Sequence, residues 1–284
     1  MSATLIDGKA VAQRVLDGLS HRVAALKGRG VHPRLAVVRV GDDPASKVYI
    51  RAKIRACEQA GILGGEFELP ERATEAQILA QVEALNADPT VHGILVQLPL
   101  PPGIHSHVVA DHIAPAKDVD GLHAVSLGRL LQNEPGFRPC TPAGILRLID
   151  EYGIELRGKH FVVVGRSEIV GKPMALLGLE RDATVTVCHS RTADLGAVTR
   201  SADVVVVAVG RPHLLKGDMI KPGAVVLDVG VNRLPSGKLA GDADFDAIVP
   251  KAAFITPVPG GVGPMTVAML IENAVIAAER IQGG

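Results

Sequence analysis

The sequence predicts an α/β fold of two domains with parallel sheets. Short continuous apolar runs alternate with helical patterns along most of the 284 residues, and this alternation is typical of βαβ units in a doubly wound sheet. Hydrophobic residues make up 47% of the chain, yet only two Tyr, five Phe and no Trp are present. The core must therefore be aliphatic, as in strands that are buried on both faces of a parallel sheet. A chain of this length also favours two domains over one.

The individual elements follow from apolar periodicity and from the residues that bound each segment. Proline is tolerated in the first turn of a helix, so the helical pattern that starts at Pro44 predicts a helix and not a break. The predicted strands cover residues 35–40, 93–96, 161–164, 184–187, 204–207 and 224–229, and the predicted helices cover residues 44–60, 74–86, 141–152 and 264–281.

A change of domain is predicted between residues 132 and 142, where residues that break regular structure cluster: Asn133, Pro135, Gly136 and Pro139. We expect residues 1–139 to form the first domain and residues 140–264 to form the second. The last helix, 265–284, follows a glycine-rich linker, and we expect it to pack back on the first domain and complete it.

Charge and cysteine content exclude several classes of protein. Lysine plus arginine equals aspartate plus glutamate, at 30 each, so no basic surface for nucleic acid or an anionic membrane is expected. The three cysteines, Cys57, Cys140 and Cys188, are far apart, which argues against a disulfide framework and favours a reducing, cytoplasmic compartment. No signal peptide is recognisable, and no apolar segment of the about 18 residues that a membrane span needs is expected. No cluster of residues has metal-ligand spacing, so we predict no metal.

A glycine turn between a buried strand and a helix is the strongest local signal. Gly165 and Gly171 flank five residues that follow the apolar run 161–164. Such a turn lets the backbone approach a phosphate and directs helix N–H groups towards it. The spacing differs from G-x-G-x-x-G, so the sequence predicts a variant dinucleotide loop that includes Arg166 and Ser167. The alternative is a tight turn that binds no ligand.

The segment after the next predicted strand indicates which dinucleotide is bound. In a dinucleotide-binding fold this segment meets the adenosine ribose, where an acid favours NAD and an arginine accommodates the extra phosphate of NADP. The chain has Ser190 and Arg191 there and no acid. Arg166 could add a second cation. NADP is therefore predicted, against the alternative of an ordinary surface loop.

Lys53 is the candidate catalytic residue. At 3.6 residues per turn it shares a helix face with Ser46, Tyr49 and Cys57, away from the charged face. A lysine on an apolar face is costly unless it is paired or used, and desolvation would lower its pKa, as a catalytic lysine requires. The alternative is a lysine whose ammonium reaches solvent along the helix surface.

Two further groups of polar residues lie near predicted strand ends. Gln97 ends the strand 93–96, and ligands in open α/β sheets bind outside the carboxyl ends of strands. Its amide could orient a substrate or a lysine, or it could form hydrogen bonds with backbone groups of the loop. Asp118 and Asp120 stand beside Gly121. These acids could cap a helix, bind a cation, or accept N–H groups of a heterocycle.

Taken together these motifs resemble the bifunctional methylenetetrahydrofolate dehydrogenase/cyclohydrolase family. The resemblance covers nearly the whole chain, from about Ile6 to the last helix, and the joint presence of the motifs in this order is highly specific. The matching stretches are residues 40–46, Tyr49-x3-Lys53, and residues 93–101, 117–121, 139–142, 165–173, 228–233 and 256–266.

The resemblance implies a reaction and roles for single residues. The family oxidises 5,10-methylenetetrahydrofolate with NADP and hydrolyses the methenyl product to 10-formyltetrahydrofolate, as part of one-carbon metabolism. By resemblance Lys53 is the key catalytic lysine, Gln97 is its partner, Tyr49 stacks on the folate, and Asp120 accepts the pterin N–H groups.

The same resemblance places the cofactor and implies how the domains are used. The first domain then binds folate and carries the catalytic residues, and the second is a Rossmann-like NADP-binding domain, with the active site in the cleft between them. The 2′-phosphate contacts are Arg166, Ser190 and Arg191. The walls around nicotinamide and folate include Gly230, Val231, Gly261 and Pro264. The family is typically a homodimer.

Other functions remain as alternatives. A monofunctional dehydrogenase with little cyclohydrolase activity would use the same pocket. A regulator that binds NADP without turnover would have no need of Lys53 and Gln97. A serine hydrolase is disfavoured, because Ser167 does not lie in a G-x-S-x-G sequence.

Overall fold

A computed structural model describes residues 2–283 and contains ten α-helices, one 3₁₀ helix (Gly217–Met219) and eleven strands in that range. The helices are α1 (Gly8–Gly28), α2 (Pro44–Ala60), α3 (Glu75–Ala87), α4 (Ser106–His112), α5 (Ala124–Leu131), α6 (Cys140–Glu151), α7 (Gly171–Glu180), α8 (Leu195–Ser201), α9 (Phe245–Ile248) and α10 (Val262–Gly283). The strands are β1 (Thr4–Leu5), β2 (Arg34–Val40), β3 (Leu63–Leu69), β4 (Gly93–Val96), β5 (His160–Val164), β6 (Thr184–Cys188), β7 (Val204–Val207), β8 (Val225–Asp228), β9 (Asn232–Arg233), β10 (Leu239–Ala240) and β11 (Phe254–Ile255).

One compact unit, here the six-stranded unit, comprises the N-terminal segment through Ala12 together with Thr141–Thr266. Its sheet has the order β1-β11-β8-β7-β5-β6, and every neighbouring pair is parallel. The central strand β7 is four consecutive valines, all buried. This is the continuous aliphatic run that a strand covered on both faces requires, and the predicted fold class is confirmed.

The other compact unit, here the three-stranded unit, comprises Gln13–Cys140 and the chain from Val267 onwards. Its parallel sheet has the order β3-β2-β4. Helix α2 follows the central strand and begins where the Asp43 carboxylate accepts the backbone N–H of Ser46 at 2.8 Å. It ends at Gly61, whose φ of 76° is a left-handed conformation that glycine adopts without strain.

The chain divides close to the expected positions at two of three points. The divisions at Cys140/Thr141 and at Thr266/Val267 fall within two residues of the predicted domain limits. The N-terminal segment differs, because we expected it in the first domain and it groups with the six-stranded unit. The physical reason is that β1 pairs in parallel with β11, so its backbone groups are satisfied in that sheet.

Helix α10 corrects one expectation. We expected no apolar segment long enough to span a membrane, but Val262–Ile281 reaches that length with a mean hydropathy of 1.3. Within this window 56% of the residues are buried inside the protein. Core helices of globular proteins have the same length and composition, so a single helix of this kind is weak support for a membrane span.

Candidate functional sites

Lys53 and Gln97 are brought together in the three-stranded unit. Lys53 lies on the buried side of α2 and is only 8% exposed. Its Nζ donates a hydrogen bond of 2.7 Å to Oε1 of Gln97, directly after β4. The Gln97 Nε2 donates to the carbonyl oxygen of Leu98 at 2.6 Å. Because both ends of the amide are engaged, the oxygen is held towards the lysine.

The surroundings of Lys53 set its protonation. Burial lowers the pKa of Lys53, and the negative charge of Asp120 acts in the opposite direction. Burial also raises the pKa of the Asp120 carboxyl, against the effect of the Lys53 charge, although the residue keeps some solvent-accessible surface. Each group therefore moves towards the neutral form through desolvation, and each is pulled back by its partner. A lysine whose pKa is lowered releases its proton more readily than one in water.

Cys140 is a member of this cluster that we did not single out from the sequence. The thiol is buried and donates to the carbonyl oxygen of Val119 at 3.3 Å. Burial raises the pKa of Cys140 well above its ordinary value, and the charge of Asp120 raises it further. The group is therefore a neutral thiol beside the carboxylate. No local pattern indicates this contact, since Cys140 is twenty residues from Asp120 in sequence.

The two acids of the 117–121 segment have different roles. Asp118 is buried and accepts hydrogen bonds from the backbone N–H groups of Leu122 and His123 and from the Ser126 hydroxyl, at 3.2, 3.0 and 2.6 Å. It holds the turn that leads into α5, whose N-cap is His123. Asp120 faces the lysine instead. Among residues 2–283 no group of His, Cys, Asp or Glu could hold a metal ion.

Tyr49 lies one helical turn before Lys53, on the same side of α2. It is 46% exposed, an unusual exposure for a large aromatic ring. An exposed ring beside a buried amine offers a flat apolar surface on which a planar heterocycle can stack. The structure therefore brings Tyr49, Lys53, Gln97 and Asp120 to one part of the three-stranded unit.

A separate pocket of about 450 Å³ lies in the six-stranded unit. It is formed where β5, β6 and β7 end, which is where ligands bind in open parallel sheets. Its lining residues are Val164, Gly165, Arg166, His189, Ser190, Thr192, Leu195, Ala208, Val209, Arg211 and Leu214.

The glycine turn at the pocket owes its spacing to close packing. A Cβ on Gly171 would lie 2.3 Å from the carbonyl oxygen of Gly165, and a Cβ on Gly165 would lie 2.3 Å from the carbonyl oxygen of Ala208. Both positions therefore exclude a side chain. The Ser167 hydroxyl accepts the backbone N–H groups of Val170 and Gly171 at 3.2 and 3.3 Å, so it stabilises the turn that leads into α7.

The charge in this pocket is entirely positive. The lining contains Arg166 and Arg211 and no carboxylate. Of the two residues that we expect at the 2′-phosphate after β6, Ser190 is part of the lining and Arg191 is not. The backbone N–H of Arg191 donates to His189 Nδ1 at 3.1 Å. We missed Arg211 because we applied the rule for strand ends to the segment after β6 and not to the segment after β7.

The remaining predicted site residues lie on two loops. Gly230 is buried after β8, and a Cβ there would lie 2.3 Å from the Asp242 carboxyl. Val231 follows it and is 45% exposed. Gly261 immediately precedes α10, and Pro264 lies in the first turn of that helix.

A buried, hydrogen-bonded lysine in one unit and a positively charged pocket at the strand ends of the other define a dinucleotide-dependent α/β enzyme. Residues 6–120 match the family model described as tetrahydrofolate dehydrogenase/cyclohydrolase, catalytic domain. Residues 139–282 match tetrahydrofolate dehydrogenase/cyclohydrolase, NAD(P)-binding domain. The chain belongs to the tetrahydrofolate dehydrogenase/cyclohydrolase family.

Similar proteins cover the whole chain. The bifunctional protein FolD of Polaromonas naphthalenivorans (strain CJ2) is 56% identical over 99% of this chain and 100% of its own length. The crystal structure of the bifunctional enzyme FolD from Campylobacter jejuni has a TM-score of 0.97 at 48% identity, covering 98% of this chain and 99% of that one. The Trypanosoma brucei enzyme, complexed with NADP cofactor and inhibitor, has a TM-score of 0.95 at 40% identity, covering 99% and 98%.

These similarities confirm the predicted family, the two-domain organisation into a catalytic and an NAD(P)-binding domain, and the activity. The protein is a bifunctional methylenetetrahydrofolate dehydrogenase and cyclohydrolase.

Proposed function

We propose that this chain oxidises 5,10-methylenetetrahydrofolate with NADP and hydrolyses the methenyl product to 10-formyltetrahydrofolate, using Lys53 in both steps. The observation that carries the proposal is the 2.7 Å hydrogen bond from Lys53 to Gln97 on the buried side of α2, with Asp120 nearby. A buried amine whose pKa is lowered is suited to proton transfer at neutral pH.

In the oxidation, the residues of the three-stranded unit hold the folate. Tyr49 stacks on the pterin ring, and the Asp120 carboxylate accepts its N–H groups. Bound NADP would accept a hydride from the methylene carbon, which leaves the methenyl cation. Hydride transfer requires an accurate approach of donor and acceptor, so much of the rate gain comes from orientation. Lys53 positions the reacting carbon and remains hydrogen-bonded to Gln97.

In the hydrolysis, Lys53 handles protons. Water attacks the methenyl carbon, and the neutral amine takes a proton from that water. The carbon–N5 bond of the hydrated intermediate then breaks as its hydroxyl oxygen becomes the formyl oxygen. The ammonium returns its proton to N5, and the amine so formed takes the hydroxyl proton and releases it to solvent. Gln97 accepts a hydrogen bond from the amine throughout and holds its position. A single acid/base group of this kind contributes roughly 10²–10⁴-fold to a rate.

NADP is the proposed dinucleotide because the pocket is positively charged. Its lining offers Arg166 and Ser190 for a 2′-phosphate and has no carboxylate to accept the hydroxyls of an unmodified ribose. Gly165, Ser167 and Gly171 bring the turn and the start of α7 close to the pyrophosphate. Arg191, Gly230 and Val231 are proposed as further cofactor contacts, and Gly261 and Pro264 as substrate contacts.

The deciding experiment is an assay of the purified protein with 5,10-methylenetetrahydrofolate, with NADP and NAD in parallel. Reduced nicotinamide and the methenyl chromophore are followed separately. We expect reduced nicotinamide to form faster with NADP while methenyl fails to accumulate. Accumulation of methenyl would show a dehydrogenase with little cyclohydrolase activity, and faster turnover with NAD would contradict the cofactor proposal.

We also propose that the enzyme is a cytoplasmic homodimer that binds neither nucleic acid nor membranes. Strand β3 is an edge of its sheet, and Leu63 at its start is 53% exposed, so the strand can pair with another chain. The three cysteines are free and buried, as suits a reducing compartment. Light scattering coupled to size exclusion tests the dimer: a mass near 29.6 kDa would contradict it, and a mass of twice that value is expected.

A further inference from the structure

Asp242 is a buried carboxylate outside both sets of site residues. It follows strand β10 and has no exposed surface. Its Oδ2 accepts the backbone N–H groups of Val209 and Gly210 at 2.6 and 2.9 Å. Its Oδ1 accepts the backbone N–H of Arg211 at 2.8 Å and the Asn232 Nδ2 at 2.9 Å. One side chain therefore satisfies three consecutive backbone donors.

The segment that Asp242 holds is a wall of the pocket. Residues 209–211 follow β7, and both Val209 and Arg211 line the cavity. Gly210, between them, has a φ of 65°, a left-handed conformation. Three successive N–H groups that point at one anion form a nest, and such a backbone conformation depends on the anion that fills it. Here the anion belongs to the protein itself.

Arg211 is the cation that this arrangement places at the pocket. Within the described part of the chain its guanidinium has no hydrogen-bond or ion-pair partner. The same holds for Arg166, on the segment of the lining that follows β5. An anion in the cavity would thus find two unneutralised guanidinium groups, and guanidinium groups are well suited to phosphate.

We propose that Asp242 is a positioning residue for cofactor selection: it fixes residues 209–211 so that Arg211 joins Arg166 in recognising the 2′-phosphate of NADP. This inference rests on the proposed use of NADP and on the pocket as its site. Asp242 touches no cofactor atom itself, and its effect passes through the backbone of the held segment.

Asparagine cannot replace Asp242 in this role. Both carboxylate oxygens accept two N–H groups each, and an amide has one oxygen and one NH₂ group. In either orientation of the amide, two donors lose their acceptor and face another donor. Asp242→Asn therefore removes hydrogen bonds that hold the 209–211 segment. It leaves the side-chain volume unchanged and removes one negative charge. The matched control is Asp246→Asn, which removes one charge from an exposed position four residues away.

The test compares KM for NADP and for NAD, kcat, and the cyclohydrolase rate measured on methenyltetrahydrofolate without any dinucleotide. For Asp242→Asn we expect KM for NADP to rise about tenfold or more, KM for NAD to change less, and the cyclohydrolase rate to remain within twofold of wild type. Asp246→Asn should match wild type in all four quantities. Equal loss of both activities by Asp242→Asn would mean a purely structural role and would overturn the inference.

Arg211→Ala supplies an independent test that leaves the buried carboxylate in place. It should raise KM for NADP about tenfold with little effect on NAD, and Arg211→Lys should restore part of the loss. In the double variant Asp242→Asn/Arg211→Ala, the loss for NADP should be smaller than the product of the two single losses, because both changes remove the same contact. Independent, multiplying losses would contradict the coupling.

The outcomes separate this inference from the proposed function. A wild-type enzyme that prefers NAD would contradict the NADP proposal itself. A wild-type enzyme that prefers NADP, with Arg211→Ala weakening NADP and NAD equally, would leave the proposed function standing and overturn the role of Arg211.

Discussion

The lysine site and the dinucleotide pocket treat charge in opposite ways. In the lysine site Lys53 already has partners: its Nζ donates to Gln97, and the negative charge of Asp120 acts on it. In the pocket, Arg166 and Arg211 face the cavity with no partner among the described residues. The first arrangement tunes a pKa. The second leaves two positive charges available to bind a negatively charged ligand.

The difference follows from what each site must do. A group that transfers protons must have a defined pKa before substrate arrives, so its surroundings are fixed by buried hydrogen bonds. A group that binds a phosphate gains most if the ligand supplies the first strong partner, because no existing ion pair has to be broken. Substitutions should therefore change rate and pH profile in the lysine site, and affinity in the pocket.

The largest expected effect is at the lysine. Lys53→Met keeps the length of the side chain and removes the amine, so the cyclohydrolase rate should fall about 10³-fold. The rate is measured by the decay of methenyltetrahydrofolate. Lys47→Met, on the same helix but in an ion pair with the exposed Asp42, is the control and should change the rate less than twofold. Survival of both activities in Lys53→Met would remove this residue from the mechanism.

The next effect concerns the stability of the glycine turn. Gly171→Ala places a Cβ against the carbonyl oxygen of Gly165, and we expect it to lower the free energy of unfolding by about 2–3 kcal/mol through overpacking. Gly18→Ala in α1, where no atom lies within 4 Å of the added methyl, should instead raise it by up to about 1 kcal/mol. Urea unfolding measures both. Equal effects would mean that the close approach of the two glycines does not constrain the turn.

A smaller effect, with a definite sign, is expected for Asp120→Asn. The Asp120 charge raises the pKa of Lys53, against the lowering by burial, so its removal lowers the pKa of Lys53 further. The cyclohydrolase rate falls at low pH when the amine is protonated, and this fall should move to lower pH in the variant. KM for folate should rise about tenfold, since a charged acceptor is lost.

The control for this prediction is Glu58→Gln, which removes one charge from the exposed side of α2. Its pH profile should coincide with that of the wild type. A profile for Asp120→Asn that moves to higher pH would show that Lys53 is not the titrating group.

The smallest effect is expected at Arg191. Arg191 does not line the pocket, so Arg191→Ala should weaken NADP only about threefold, and NAD less, whereas Arg166→Ala should weaken NADP about tenfold or more. Binding of each dinucleotide is measured by titration calorimetry. A larger loss at Arg191 than at Arg166 would restore Arg191 as the main phosphate contact, and equal losses of NADP and NAD would exclude it.

The elements with strong local signals were predictable from sequence. Helix α2 begins and ends where expected, because Asp43 and Pro44 mark its start and Gly61 follows its end. The β4 strand is a short apolar run and also matches. Helix α1 was missed, although the Asp7 carboxylate accepts the backbone N–H of Ala10 at 2.9 Å and so marks its start. Strand β3 was missed because Gly64 and Gly65 interrupt its alternation of apolar and polar residues.

The candidate site was predictable in so far as it depends on helix periodicity and strand ends. The period of 3.6 residues identified the face of Lys53, and the strand-end rule identified Gln97 and Ser190. The contacts between Asp242 and residues 209–211 join positions that are about thirty residues apart in sequence. No local sequence pattern indicates which carboxylate will accept the N–H groups of a backbone nest. The roles of Asp242 and Arg211 could therefore be inferred only from the structure.

The pairing of β1 with β11 has a consequence for how the protein is made. Thr4 aligns with Phe254, so the first strand leaves the ribosome about 250 residues before its partner exists. Most of the three-stranded unit is therefore synthesised before β11, the strand with which β1 pairs, exists. A recombinant fragment that begins at residue 141 would lack this strand and expose the edge of β11 to other chains. Expression of the cofactor-binding unit alone should therefore require the N-terminal segment to be joined to it.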